Sequence, residues 1–180
     1  MISRRPRRLV AFLSIAVVLL GIAAPARAEV TLADLNLAAR VLSFMETPPS
    51  GNVRLGILYA RGNEQSLLDA TAVARLLGAG LKAGNVVFIA VLVPLDDARR
   101  ASVDAFFLPE GVADPVGLVA EATAARKLPC ITVDLPRVQD GSCVLGLRTL
   151  PKIQIYLSRS AAARSNTTFA SVFRMMVTEF

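Results

Sequence analysis

The residues with the most reactive side chains are two cysteines, Cys130 and Cys143. A thiol pair can close a structural disulfide or serve as a redox-responsive bond. In an oxidising compartment an even pair is disulfide-bonded by default. Closing a loop of this length stabilises a fold by about 3 kcal/mol in the chain-entropy model. The other candidates are polar residues that follow apolar runs: Arg61, Asn63, Asp96, Glu110 and Asp134. Such residues could contact a ligand, or simply cap helices and make turns. No two of these carboxylates can be paired for acid–base work from the sequence.

Composition removes several chemistries. The chain has no His, so Ser-His-Asp and Cys-His nucleophile activation are excluded and the commonest zinc ligand is missing. With no Trp and only two Tyr, an aromatic sugar platform is poorly supplied. There is no G-x-S-x-G, Walker A or G-x-G-x-x-G pattern, hence no motif for a nucleotide or other cofactor.

The candidates need elements to hold them. Thr31-Leu-Ala-Asp34 is a capping box that opens a helix, ended by Thr47-Pro-Pro. Val53 to Tyr59 reads as a strand. Asn63 and the Ser66-Leu-Leu-Asp69 box are expected to start a helix whose inner face is Ala70, Val73, Ala74 and Leu77, closed by Gly78 and Gly80. Val86 to Val93 is apolar throughout and is expected in the middle of a covered sheet. Asp96 to Ser102 is expected as a short helix, and Ala105 to Leu108 as a strand. Asp114 and Pro115 are expected to open a helix with Val116, Val119, Ala120, Thr123 and Ala124 inward. Cys130 to Val133 is the next strand. This β-α-β alternation predicts an α/β fold, a mostly parallel sheet with helices on both faces. Val144–Leu147 and Ile153–Leu157 are joined too closely for a parallel crossover, so they pair antiparallel. A final helix is expected to turn Phe169, Val172, Phe173, Met176 and Phe180 into the core; the other reading of this stripe is a partner-binding face.

In such a sheet ligands bind beyond the C-terminal strand ends. That rim comprises residues 60–63, 94–97, 109–114 and 134–140, and carries Arg61, Asn63, Asp96, Glu110 and Asp134.

The N-terminal segment supplies an address. Arg4, Arg5, Arg7 and Arg8 precede the apolar run Leu9 to Ala24, and Ala26-Arg27-Ala28 fits signal peptidase. The run is shorter than the roughly 20 residues of a membrane span. Residues 1–28 are therefore expected to be a cleaved signal peptide, with Glu29 first in a single domain of residues 29–180 and no stable membrane anchor. Five of the 20 basic residues (Arg4, Arg5, Arg7, Arg8 and Arg27) precede Glu29 and no acid does, which leaves 15 against 14. Nothing in that balance points to nucleic acid.

The last third of the chain carries a resemblance. Leu128-Pro-Cys-Ile-Thr-Val-Asp134, Gly141-Ser-Cys-Val-Leu-Gly146, Pro151-Lys-Ile-Gln-Ile-Tyr-Leu-Ser-Arg-Ser-Ala-Ala-Ala163 and Thr168-Phe-Ala-Ser-Val-Phe-Arg174 resemble the YfiR-like family of periplasmic proteins. Phe44-Met-Glu-Thr-Pro48 stands where that family has F-x-x-W-P, with Thr47 in place of Trp; Ser158 replaces an Asn. The resemblance implies a non-enzymatic periplasmic regulator that restrains an inner-membrane diguanylate cyclase, or another signalling protein, through its periplasmic part. It implies that the family's disulfide falls on Cys130 and Cys143. A homodimer is left open. The stretch from Gly56 to Leu77 is also similar to one lobe of the substrate-binding proteins of ABC transporters, which implies the alternative of a single-lobe solute-binding protein.

Overall fold

The computed structural model describes residues 29–180. Thr31 and Asp34 form the expected reciprocal cap: Asp34 N–H donates to Thr31 Oγ1 (3.2 Å), and Thr31 N–H donates to Asp34 Oδ2 (2.9 Å). They open α1 (Leu32–Leu42). The chain continues through β1 (Gly51–Tyr59), α2 (Glu64–Leu77), β2 (Leu81–Ala83), β3 (Val86–Pro94), a 3-10 turn (Leu95–Asp97) and β4 (Ala105–Leu108). It then forms α3 (Leu118–Arg126), β5 (Cys130–Thr132), α4 (Pro136–Gln139), β6 (Leu145–Arg148), β7 (Gln154–Leu157), α5 (Arg159–Arg164), α6 (Ser171–Met176) and β8 (Thr178–Glu179).

The α/β architecture read from the sequence is the one observed. Eight strands make one sheet in the order β2-β3-β1-β4-β5-β6-β7-β8. The central five, β3-β1-β4-β5-β6, are parallel, and β6 pairs antiparallel with β7. This central order is that of flavodoxin-like doubly wound sheets, with the reversal between β1 and β4. Alternation along the strands makes two cores. Leu55, Ile57, Phe88, Phe107, Ile131 and Leu145 pack with α1 and α2. Leu58, Val93, Phe106, Leu108 and both cysteines pack with Val119 and Ala122 of α3 on the other face.

Several expectations are corrected. The Val86–Val93 strand is not central. It is second from the edge, because a short β2 pairs antiparallel with it across the Gly84-Asn85 turn, where Gly84 has φ +61°. The helix expected over 96–102 is a single 3-10 turn, so Val87, Ile89 and Val91 stay only half-buried. The 114–126 helix starts at Leu118, after Gly117 at φ +73°. Asp114 still caps it, accepting from Leu118 N–H (2.7 Å) and Val119 N–H (3.0 Å), but Val116 points to solvent at 75% exposure.

The C-terminal helix is the largest correction. Phe169 and Phe173 are buried, whereas Val172 and Met176 are 62% and 64% exposed. The helix stops at Val177, which is extended, and β8 pairs parallel with β7. Phe180 N–H donates to Leu157 O (2.9 Å), so the sheet takes up backbone groups that a continued helix would have used. Phe180 stacks on Tyr156 at 5.8 Å instead of entering the core.

Candidate functional site: the strand-end rim and the C-terminal face

The crevice beside the strand reversal is walled by α2, the turn after β4 and the first described residues. Glu29, Gln65, Asp69, Val73, Pro109 and Glu110 enclose a cavity of about 310 Å³. A neighbouring cavity of about 450 Å³ is lined by Glu29, Thr31, Asp34, Val133, Arg148 and Thr149. Glu29 belongs to both, so the N-terminal segment lies between them as a strap.

The expected rim residues do not converge. Glu110 lines the smaller cavity. Asp134 sits beside it through Gly111, whose N–H reaches Asp134 Oδ2 at 3.5 Å. Asn63 is taken up by its own helix: its Oδ1 accepts from Ser66 N–H at 3.0 Å. Arg61 turns the other way and pairs with Asp97 (2.7 Å) and Asp96 (3.7 Å), all well exposed. Gln65, Asp69 and Glu29 were missed because their place depends on where a helix and the first described residues cross the rim. A polar i, i+4 pair at the start of α2, with Gln65 Nε2 donating to Asp69 Oδ1 (2.7 Å), was the available signal.

Cys130 and Cys143 form a disulfide with Cα atoms 4.7 Å apart, both sulfurs in the core. The loop they close carries α4. Arg137 holds α4 to the rim: its Nη2 donates to Val112 O (2.8 Å), and it faces Asp134 (3.9 Å) and Asp140 (3.5 Å). From the other side Arg164 Nη2 donates to Gly141 O at 2.6 Å. Thiol exchange requires access to sulfur, so attack on this bond needs the clamped loop to open first.

The second feature is the outer side of α6. Val172, Met175 and Met176 are 62%, 79% and 64% exposed, and Phe180 lies at the end of the same segment. A fork fixes the helix to β8: Arg174 Nε and Nη2 donate to Glu179 Oε1 (2.7 Å) and Oε2 (3.2 Å). Those hydrogen bonds hold the Glu179 carboxyl below its usual range, against a smaller opposing effect of desolvation. The Asp104 carboxyl is likewise held low, first by its hydrogen bonds from Arg54.

A search of protein-family models returns no match to this chain, and a search of curated proteins returns none. Among the described residues no group of His, Cys, Asp and Glu is arranged to hold a metal ion, and no helix is long and apolar enough to cross a membrane.

Proposed function

We propose that the chain is an exported, non-enzymatic binding module that restrains an inner-membrane signalling protein, a diguanylate cyclase being the partner its sequence resemblance implies. The observation that carries this reading is the outward half of the C-terminal stripe. Val172, Met175 and Met176 face solvent together on a six-residue helix. Contiguous exposed apolar side chains mark protein contact surfaces, and methionine adapts to a partner's shape. The Arg174–Glu179 fork presents this face rigidly, which limits the entropy lost on binding.

The test is capture from solubilised inner membranes. The wild-type chain should retain an inner-membrane signalling protein, and Met175→Asp with Met176→Asp should release it while the melting temperature holds. Equal capture by the variant would refute the assignment of this face. The solute-binding alternative draws support from the cavity of about 310 Å³ at the strand reversal, near the lower limit for a small ligand. A small molecule co-purifying with the chain, unaffected by the α6 substitutions, would favour it.

A further inference from the structure

We propose that the outer edge of β3 is an interface between two copies of this chain, which pair antiparallel about a two-fold axis at Leu92 and join their sheets into one. This inference is independent of the α6 reading.

The backbone decides which groups are free. Gly51 N–H donates to Asn85 O (2.9 Å), and in that register β1 takes the peptide groups of Val87, Ile89, Val91 and Val93. The peptide groups of the alternate residues point outward. β2 takes up Val86 and Phe88, opposite Ala83 and Leu81, and ends there. Among the described residues, the outward N–H and C=O groups of Ala90 and Leu92 meet no further strand. An unpaired edge is a template for another strand, and natural edges are guarded by charge, proline or shortness. The nine residues of Val86–Pro94 carry no charge and no proline before the last. Leu92 is 41% exposed, and Val87, Ile89 and Val91 are half-buried on the opposite face.

A second copy fits the opening by length and by charge. Gly80 lies beside Val87 and Ile89, so an added strand has to stop level with Ala90. β3 itself stops at Pro94, where the chain enters the 3-10 turn. Placing Pro94 of the second copy opposite Ala90 puts the axis at Leu92. The two Leu92 residues then exchange N–H···O bonds, and each Ala90 N–H meets the Pro94 carbonyl across the axis. The pairing is isologous and sets one Leu92 side chain against the other. It also brings Asp96 and Asp97 of the second copy to the end of β2. There Lys82 is exposed and makes no ion pair among the described residues.

Sedimentation velocity of the purified protein should show a dimer. Amide hydrogen exchange should show Ala90 and Leu92 as slow as Ile89 and Val91. Leu92→Lys sets two cations against each other across the axis and should abolish the dimer. It should also speed exchange at residues 90 and 92, while the amides bonded to β1 stay slow. Lys82→Glu should weaken the dimer about tenfold, and adding Asp96→Lys should restore it. Met175→Asp with Met176→Asp should leave the dimer intact. Should Leu92→Lys fail to fold, exchange in the wild-type protein decides alone. A monomer would overturn the proposal and leave the edge to an extended segment of another protein. A dimer in which Ala90 and Leu92 exchange rapidly would overturn it too, by placing the interface elsewhere.

Discussion

Gly146 lies in β6 directly beneath α4, and a single methyl group there should push the two apart. A Cβ at this position would stand 2.6 Å from Val138 Cγ2, 3.0 Å from Leu135 Cδ2 and 3.5 Å from Tyr156 Cβ. Carbon atoms pack at about 3.5–4.0 Å, so the overlap with Val138 is about 1 Å. Val138 is fully buried and β-branched, and cannot swing clear. Movement of α4 as a body is opposed by the disulfide, by Arg137 on Val112 O and by Arg164 on Gly141 O. Overpacking of this kind costs about 1–3 kcal/mol, and the rigid neighbours place Gly146→Ala near about 2 kcal/mol. For a domain of this size that lowers Tm by about 4–8 °C. Val138→Ala alone should also destabilise by about 2 kcal/mol, through lost burial and a cavity. The double variant should then be more stable than the sum of the two losses by at least about 1 kcal/mol, since the new methyl fills the space Val138 leaves. Thermal and urea unfolding of the four proteins gives the cycle. Additive losses, or Gly146→Ala within about 0.5 kcal/mol of wild type, would refute the close approach of α4 to the sheet.

Three further outcomes are expected. Native protein should give no free thiol, and Cys130→Ser with Cys143→Ser should lower stability by about 3 kcal/mol in urea unfolding; two reactive thiols in oxidised protein would contradict the observed bond. Thr31→Ala removes both Thr31 side-chain contacts to Asp34 and should cost about 1 kcal/mol by the same assay, with α1 amides exchanging hydrogen faster. Asp104 and Glu179 are both depressed by arginine partners, so their contribution is present above the unfolded carboxylate range and is lost as pH falls through the lower folded values. Asp104→Asn and Glu179→Gln should flatten the acid limb of a Tm–pH curve and leave the neutral-to-alkaline limb unchanged; an unaltered acid limb would show these pairs to be silent.

The parallel core was legible because its signals are local and redundant. Asn63 caps, Gly78 closes, and the β4 span Ala105–Leu108 matches its apolar run. The antiparallel β6–β7 pair followed from loop length alone. The β2–β3 hairpin also left a mark, Gly84-Asn85 between apolar residues, but three residues of β2 are too few for alternation to register. At the rim the topology rule located Glu110 and Asp134. It could not say that Arg61 would be drawn to Asp97, or that Glu29 and Asp69 would complete a wall, because those depend on tertiary crossings and not on spacing.

The C-terminal stripe shows why periodicity misleads over short spans. Phe169 and Phe173 are both buried, their rings tilted by 32° with centres 5.1 Å apart, but only Phe173 lies on the helix; Phe169 precedes it, in a bridge to Met45. Beyond Met176 the backbone is extended, so Phe180 falls on a strand and its helical spacing has no meaning. The same break exposes Met175 and Met176, and it determines how a partner could bind. An extended peptide adds to a sheet through a row of free backbone groups. Here the edge strand is two residues long, and Phe180 N–H is already bonded to Leu157 O and Phe180 O to Arg159 N–H. Short edge strands of this kind resist pairing with other chains. In the proposed reading, recognition at this end rests on the side chains of α6, whose apolar face stands clear of the sheet while the Arg174–Glu179 fork holds its base. In that reading a binding face made of side chains would be switched off by two carboxylates without disturbing the sheet, so charge at Met175 and Met176 should separate binding from folding.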